Sequence, residues 1–321
     1  MTDQPVIGVM LPRDLPHGLL LDFARRADSL GLGELWVVED LGFRGGFAQA
    51  AAVLTVTSRI RVGIGVLPAS ARNPVFAAME IATLAQVFPG RVDVGIGHGV
   101  PAWMRSAGAW PRAPLSALEE HLSTVRALVR GEEVDSRGQD AVTPIAGVRL
   151  DPAVVPEVQP CFLAGVRGPK SLALAGRVAD GTVLAEPCTP EYVRAAREQI
   201  AAPGPHRIVT YNVGSVHDDA AVAVAEARSA LQWIGEPDWA PHLRPLALGD
   251  EVAALRARCG SREEFARELP GEWVSQLALA GTPDAVRARL GELADAGVAS
   301  SVFLLASPSP MSALEDVARV L

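Results

Sequence analysis

Short apolar runs alternate with longer stretches whose apolar residues recur at helical spacing along most of the chain. The pattern predicts strands at residues 5–11, 34–38, 61–67, 91–97, 161–164, 181–185, 207–216 and 301–305. Helical patterns follow at 18–30, 46–57, 115–129, 170–176, 220–233 and 311–321. Asn73-Pro74, Thr189-Pro190 and Thr282-Pro283 each set a capping side chain before a proline at the first helical position, which opens three more helices. Two stretches break the rhythm. Residues 131–160 are rich in Gly, Pro and Asp, with a short hairpin expected within 141–150; residues 236–275 are rich in Pro and Trp and read as irregular.

Eight strands, each followed by a helix, are the pattern of a (β/α)8 TIM barrel in the α/β class. The expectation is therefore one barrel domain over residues 1–321, with insertions after strands 4 and 7. An open doubly wound sheet competes, but it wants a Gly-rich phosphate turn after its first strand. Here that strand ends in Leu11-Pro12-Arg13.

Composition narrows the partners. With 29 basic and 37 acidic residues the net charge is −8, and no basic cluster is visible, which argues against nucleic acid as a partner. No apolar run is long enough to span a membrane, and the start has no signal-peptide pattern, so a cytoplasmic protein is expected. Cys161, Cys188 and Cys259 are far apart and odd in number; free thiols are expected, with no disulfide framework and no metal site. Lys170 is the single lysine among those basic residues, a bias that fits a GC-rich genome.

In a barrel, chemistry sits beyond the carboxyl ends of the strands. Glu39 and Asp40 end the second strand, and strand alternation lets at most one of them face the mouth. They read either as acid, base or ring anchor, or as a helix cap and ion-pair partner for Arg44 or Arg72. Val66, Leu67 and Pro68 follow a strand carrying glycines at 63 and 65, a mark of a bulge or of a ligand close to backbone. Gly95, Gly97 and Gly99 surround His98; they read as a strand end stripped of side chains to admit a planar ring, with no helix starting directly after it. His98 is then a candidate donor, or else a histidine bonded to a nearby carbonyl. Ala164, Gly165, Val166, Arg167 and Gly168 form a Gly-rich turn into a helix, where backbone amides and Arg167 can bind phosphate. No signature of a metal hydrolase, nucleotide hydrolase or serine esterase is present.

These residues together resemble the bacterial luciferase-like monooxygenase superfamily, and within it the oxidoreductases that use the deazaflavin coenzyme F420. The resemblance runs from Leu35-Trp36-Val37-Val38-Glu39-Asp40 through 57–65 and Asn73-Pro74 to 84–97, and continues at 174–181 and 280–284. It implies a barrel whose mouth holds a flavin or deazaflavin. It implies a non-prolyl cis peptide in the third strand, forming a bulge behind the ring. The matching stretch is Val66, Leu67 and Pro68, where the proline departs from the usual pattern. The cis bond is thus expected at Leu67–Pro68, close by, or not at all. Gly97, His98 and Gly99 match the segment near the ring and ribityl chain; Ala164 to Gly168, with Ala185 and Glu186, match those near the phosphate. Some relatives end the second strand in Asp-His with a catalytic histidine, where this chain has Glu39-Asp40. Relatives that oxidise sugar phosphates carry a glutamate where this chain has Val100, so that reaction is not expected. The resemblance implies an F420-dependent oxidoreductase moving hydride to or from a small organic molecule, with Glu39, Asp40 and His98 as catalytic candidates and a homodimer as the assembly. An FMN-dependent monooxygenase and a non-catalytic flavin-binding protein are the alternatives.

Overall fold

The computed structural model describes residues 4–138 and 141–321. Its strands are β1 (Val6–Met10), β2 (Glu34–Val37), β3 (Arg61–Pro68), β4 (Val92–Gly97), β5 (Val134–Ser136), β6 (Ile145–Val148), β7 (Cys161–Gly165), β8 (Gly181–Leu184), β9 (Arg207–Val216), β10 (Leu279–Gly281) and β11 (Ser300–Leu305). Eight of them, in the order β1-β2-β3-β4-β7-β8-β9-β11, pair in parallel, and β11 returns to β1 to close the barrel. Helices cover the outside. The first-turn signals act as expected: Asn73, Thr189 and Thr282 each accept a backbone N–H from the helix that follows.

Two apolar layers hold the barrel. The larger lies between strands and helices. The smaller fills the interior with Trp36, Leu163, Val183, Val209, Tyr211 and Val302. Trp36 and Tyr211 meet edge to face with centroids 5.6 Å apart. Such large rings fit because β3 is bare opposite them: a Cβ on Gly63 would lie 2.3 Å from the Trp36 ring, and one on Gly65 would lie 1.7 Å from the Tyr211 hydroxyl.

Below this layer the amino ends of the strands carry buried charge. Arg207 donates to Asp93 at 2.8 Å and also pairs with Glu34, while Arg61 pairs with Asp93 from the edge. Ser300 Oγ and Trp36 Nε1 each donate to Glu34 at 2.8 Å. Burial pushes the Glu34 carboxyl up, against the pull of Arg207. The paired charges close the bottom of the barrel, which leaves the carboxyl end as the open one.

The insertions differ in detail from the expectation. The hairpin uses β5 and β6, antiparallel, so its first arm precedes the stretch expected to hold it; residues 139 and 140 lie outside the described residues. Residues 236–275 are not irregular but helical, with helices Gly249–Arg258, Arg262–Glu268 and Gly271–Leu277. Their prolines mark helix starts rather than loops: Pro237 opens one short turn, and Pro270 directly precedes another helix. Phe265, Leu255 and Val274 bury into a core of their own, with Trp239 and Trp273 packed on it. A short helix, Pro101–Ser106, also begins soon after Gly99, where none was expected; Pro101 occupies its first turn. β10, too short to leave a pattern, pairs with β9 at Gly214–Val216, beyond Thr210 where β8 stops. Among the described residues no helix is long and apolar enough to cross a membrane.

Candidate functional site

The mouth is organised by an irregularity in β3. Its register with β4 shifts between Ile64 and Leu67, and the Gly65–Val66 peptide is cis. The bond falls just before the Val66-Leu67-Pro68 stretch, and Leu67 and Pro68 resume pairing opposite Ile96 and Gly97. The bulge turns the Val66 side chain inward across two neighbouring strands. A Cβ on Gly165 would lie 2.2 Å from Val66 Cγ1, one on Gly97 3.0 Å from Cγ2, and one on Gly95 3.2 Å from Cγ1. The glycines at the ends of β4 and β7 therefore make room for Val66. Val66 is half-buried, packed on glycine backbone below and open above. It, rather than bare glycine, is the apolar floor of the mouth.

The expected site residues distribute around this floor. Glu39 points away from it: its Oε2 accepts the Gly46 N–H at 2.8 Å and Arg72 Nη2 at 2.7 Å, and its other oxygen also pairs with Arg72. Asp40 accepts Arg13 Nη1 at 2.6 Å. Both carboxylates lie beyond Val37, where β2 stops, rather than at its end as expected, and each has found an arginine. His98, half-buried, reaches sideways to Ser171 Oγ at 3.0 Å, at the start of helix Pro169–Val178. Burial lowers its pKa, opposed by a hydrogen bond to the Pro114 carbonyl, which favours the neutral ring at neutral pH. Gly99 adopts φ +72°, a conformation open to glycine, and a Cβ there would press on Met104 Sδ at 2.8 Å.

On the far side, Ala164 and Gly165 end β7 and Val166, Arg167 and Gly168 lead into helix Pro169–Val178. No side chain caps this helix, and a Cβ on Gly168 would meet nothing within 4 Å. Its first N–H groups are thus approachable. Arg167 lies 4.7 Å from the Trp239 ring centroid and donates to the Asp238 carbonyl at 3.3 Å. Ala185 and Glu186 follow β8; the Glu186–Pro187 peptide is cis, and Trp239 Nε1 donates to the Glu186 carbonyl at 3.0 Å. Sequence reasoning missed Tyr211, whose hydroxyl lies 3.4 Å from the Gly65 carbonyl at the bulge and which carries no local motif. Trp239, which the sequence offers either as a pocket wall or as core, packs on the core of the late insertion and reaches Glu186 and Arg167.

Two cavities lie elsewhere. One of about 360 Å³ sits at the amino end beside Arg61, Cys161 and Asp180, and one of about 340 Å³ beside Ser215, His217, Glu226 and Ser307. Neither is lined by Val66, His98 or Glu186. The described residues contain no cluster suited to a metal ion.

Known proteins share this fold. The chain is 28% identical over 297 residues to the 5,10-methylenetetrahydromethanopterin reductase of Methanolobus tindarius, covering 87% of this chain and 88% of that one. The solved structure of the coenzyme F420 dependent tetrahydromethanopterin reductase from Methanopyrus kandleri superposes with a TM-score of 0.82 at 21% identity, covering 99% of both chains. That of an F420-dependent secondary alcohol dehydrogenase with an F420-acetone adduct gives 0.76 at 18% identity, covering 99% of this chain and 98% of that one. The profile of the luciferase-like monooxygenases matches residues 9–300. A barrel of this topology, with a match over nearly its whole length, belongs to the luciferase-like monooxygenase family.

Proposed function

We propose that this protein is an F420-dependent oxidoreductase that transfers hydride between the deazaflavin and a small organic substrate. The observation that carries the reading is the Val66 bulge, an apolar floor at the centre of the barrel mouth. The relatives named for F420 support the same cofactor.

The residues present fit such a group. The open approach at Gly168, the uncapped helix start and the Arg167 guanidinium suit a phosphate, and the half-buried Val66 suits a flat ring. When bound, the deazaflavin supplies or accepts the hydride. The chain orients it and limits water. Val66 would support the ring, while Leu67 and Pro68 hold the bulge to β4. Gly97 makes room for Val66 and Gly99 for Met104 and Pro68, and together they would shape the segment beside the ring. Ala164, Gly165, Val166, Arg167 and Gly168, with Ala185 and the Glu186 main chain, line the phosphate side. His98 is a neutral donor or acceptor held by Ser171. Asp40, held by Arg13, borders the substrate, and Glu39 acts by fixing Arg72 and the start of helix Gly46–Val56.

We also infer a homodimer. Helix Pro74–Val87 is apolar on nearly every face, yet Phe76, Met79 and Val87 remain 64%, 49% and 61% exposed. Helices of that kind are normally covered.

Fluorescence titration with F420 and with FMN tests the cofactor. Micromolar F420 binding is expected, weakened about tenfold or more by Arg167→Ala through loss of a charge-assisted contact of roughly 1.5–3 kcal/mol. Micromolar binding of FMN without binding of F420 refutes the reading in favour of a flavin monooxygenase. Binding of F420 without turnover on aldehydes, ketones and imines favours a non-catalytic binder.

A further inference from the structure

Glu39 and Asp40 follow β2 and Glu186 follows β8, and these three carboxylates are not equivalent. Glu39 is clamped by Arg72 and the Gly46 amide, and Asp40 by Arg13. Both carboxylates are thus engaged by partners that fix their side chains. Glu186 makes no ion pair and no side-chain hydrogen bond to another described residue. Its main chain is fixed by Trp239, which holds the side chain at the rim, and its carboxyl accepts only its own backbone N–H. β8 and β2 stand diametrically opposite in the barrel, with three strands between them either way, so Glu186 faces Asp40 across the Val66 floor.

We propose that Glu186 is the proton carrier of this site, serving a substrate with a polarised carbon–heteroatom double bond. The proposal rests on the F420 reading above. In the reducing direction the substrate carbon accepts hydride from the reduced deazaflavin, which becomes oxidised. The heteroatom accepts the Glu186 proton, and the resulting carboxylate regains one from water at the half-open rim. In the oxidising direction Glu186 removes the hydroxyl or amine proton as hydride leaves the carbon. Asp40, paired with Arg13, and Glu39, paired with Arg72, then serve as positioning residues.

The surroundings support the role. Burial raises the Glu186 pKa above its ordinary value; a bond from its own backbone N–H and the Arg167 charge oppose this, and Asp40 adds to it. The other groups facing it are Cys188 and Tyr211, which burial holds well above their ordinary values, so both remain neutral while Glu186 titrates. A phosphate bound at Arg167 offsets the charge that holds the Glu186 pKa down. Anion binding at one end of the cofactor slot thus favours the protonated carboxyl.

Carboxyl carbon-13 NMR of glutamate-labelled protein without cofactor tests this, with Glu186→Gln identifying the resonance. Its midpoint is expected above those of the exposed glutamates, and higher again with inorganic phosphate. With F420 bound, reduction is expected to fall as pH rises through that midpoint. Glu186→Gln should lower turnover on the aldehyde, ketone and imine panel about 100-fold or more and abolish that limb, while F420 affinity changes less than about threefold. A midpoint in the ordinary glutamate range overturns the proposal, as does turnover of Glu186→Gln within about twofold of wild type on any substrate the wild type reduces. Failure of the wild type to bind F420 overturns the cofactor reading instead, and leaves the anomalous titration intact.

Discussion

Gly165→Ala is the most direct probe of how the mouth is built. The new Cβ would lie 2.2 Å from Val66 Cγ1, with Val66 Cβ at 3.4 Å and Cγ2 at 3.6 Å. Carbon atoms settle about 3.5–4.0 Å apart, so Cγ1 must retreat by roughly 1.3 Å or more. It can retreat only toward the open mouth, because the backbone of Gly95 and Gly97 lies close beneath the same methyls. Overpacking of this kind costs about 1–3 kcal/mol, and a site walled by backbone belongs at the upper end. Val66→Ala removes the offending methyl and leaves the Cβ contact at 3.4 Å, within ordinary packing. Alone it costs about 1 kcal/mol, since the side chain is only half-buried. The double variant should therefore be no less stable than Val66→Ala, a coupling of about 2–3 kcal/mol against the roughly 0.5 kcal/mol within which independent sites add. Urea unfolding followed by tryptophan fluorescence, comparing midpoints at constant slope, reads the difference. A wild-type midpoint for Gly165→Ala, or additive costs in the double variant, would falsify the claim that this glycine exists to seat Val66.

Two further predictions concern buried polar groups. Asp28 accepts N–H groups from Ser58 at 2.8 Å, Arg59 at 3.2 Å and Ile60 at 2.8 Å, and these bonds outweigh its burial to depress its pKa. Its contribution is thus present above the unfolded carboxyl value of about 3.9 and lost as pH falls through the lower folded value. Asp28→Asn should cost about 2 kcal/mol at pH 7, and the gap in urea midpoint should close toward pH 3; a gap constant with pH refutes this. Burial, with some help from Arg72, holds His121 neutral down to about 4, and burial aided by Arg167 holds His242 neutral down to about 3. The unfolded chain takes up these protons first, near pH 6.5, so stability declines from there downward by up to about 1.4 kcal/mol per pH unit for each histidine. His242 stacks on Tyr192 at 4.2 Å with Nε2 unpartnered. His242→Phe should keep the stack and flatten the stability profile between pH 7 and 5; an unchanged slope refutes the assignment.

Sequence and structure contributed different things here. The eight barrel strands, most of the helices and the end of the barrel that carries chemistry were legible because each rests on local signals. Short apolar runs and helical spacing, Asn73, Thr189 and Thr282 before prolines, and glycines at strand ends all act within a few residues. The same locality explains the misreadings. In residues 236–275 the prolines that punctuate short helices imitate loop composition, and β10 is only three residues long.

The glycine-ended strands show where that reach stops. Gly95, Gly97 and Gly165 announce a close approach, but not by what; Val66 fills the space only because the β3 bulge carries it across the barrel interior. Glu39, Asp40 and Glu186 are chemically alike on paper. Folding sends Arg72 to the first and Arg13 to the second, and leaves the third without an ion pair beside Arg167. The sequence by itself determined the barrel and the address of its mouth, since these follow from periodicity and caps. The tertiary structure alone decided which carboxyls meet an arginine and which is buried without an ion pair, because those surroundings are brought by segments distant in the chain.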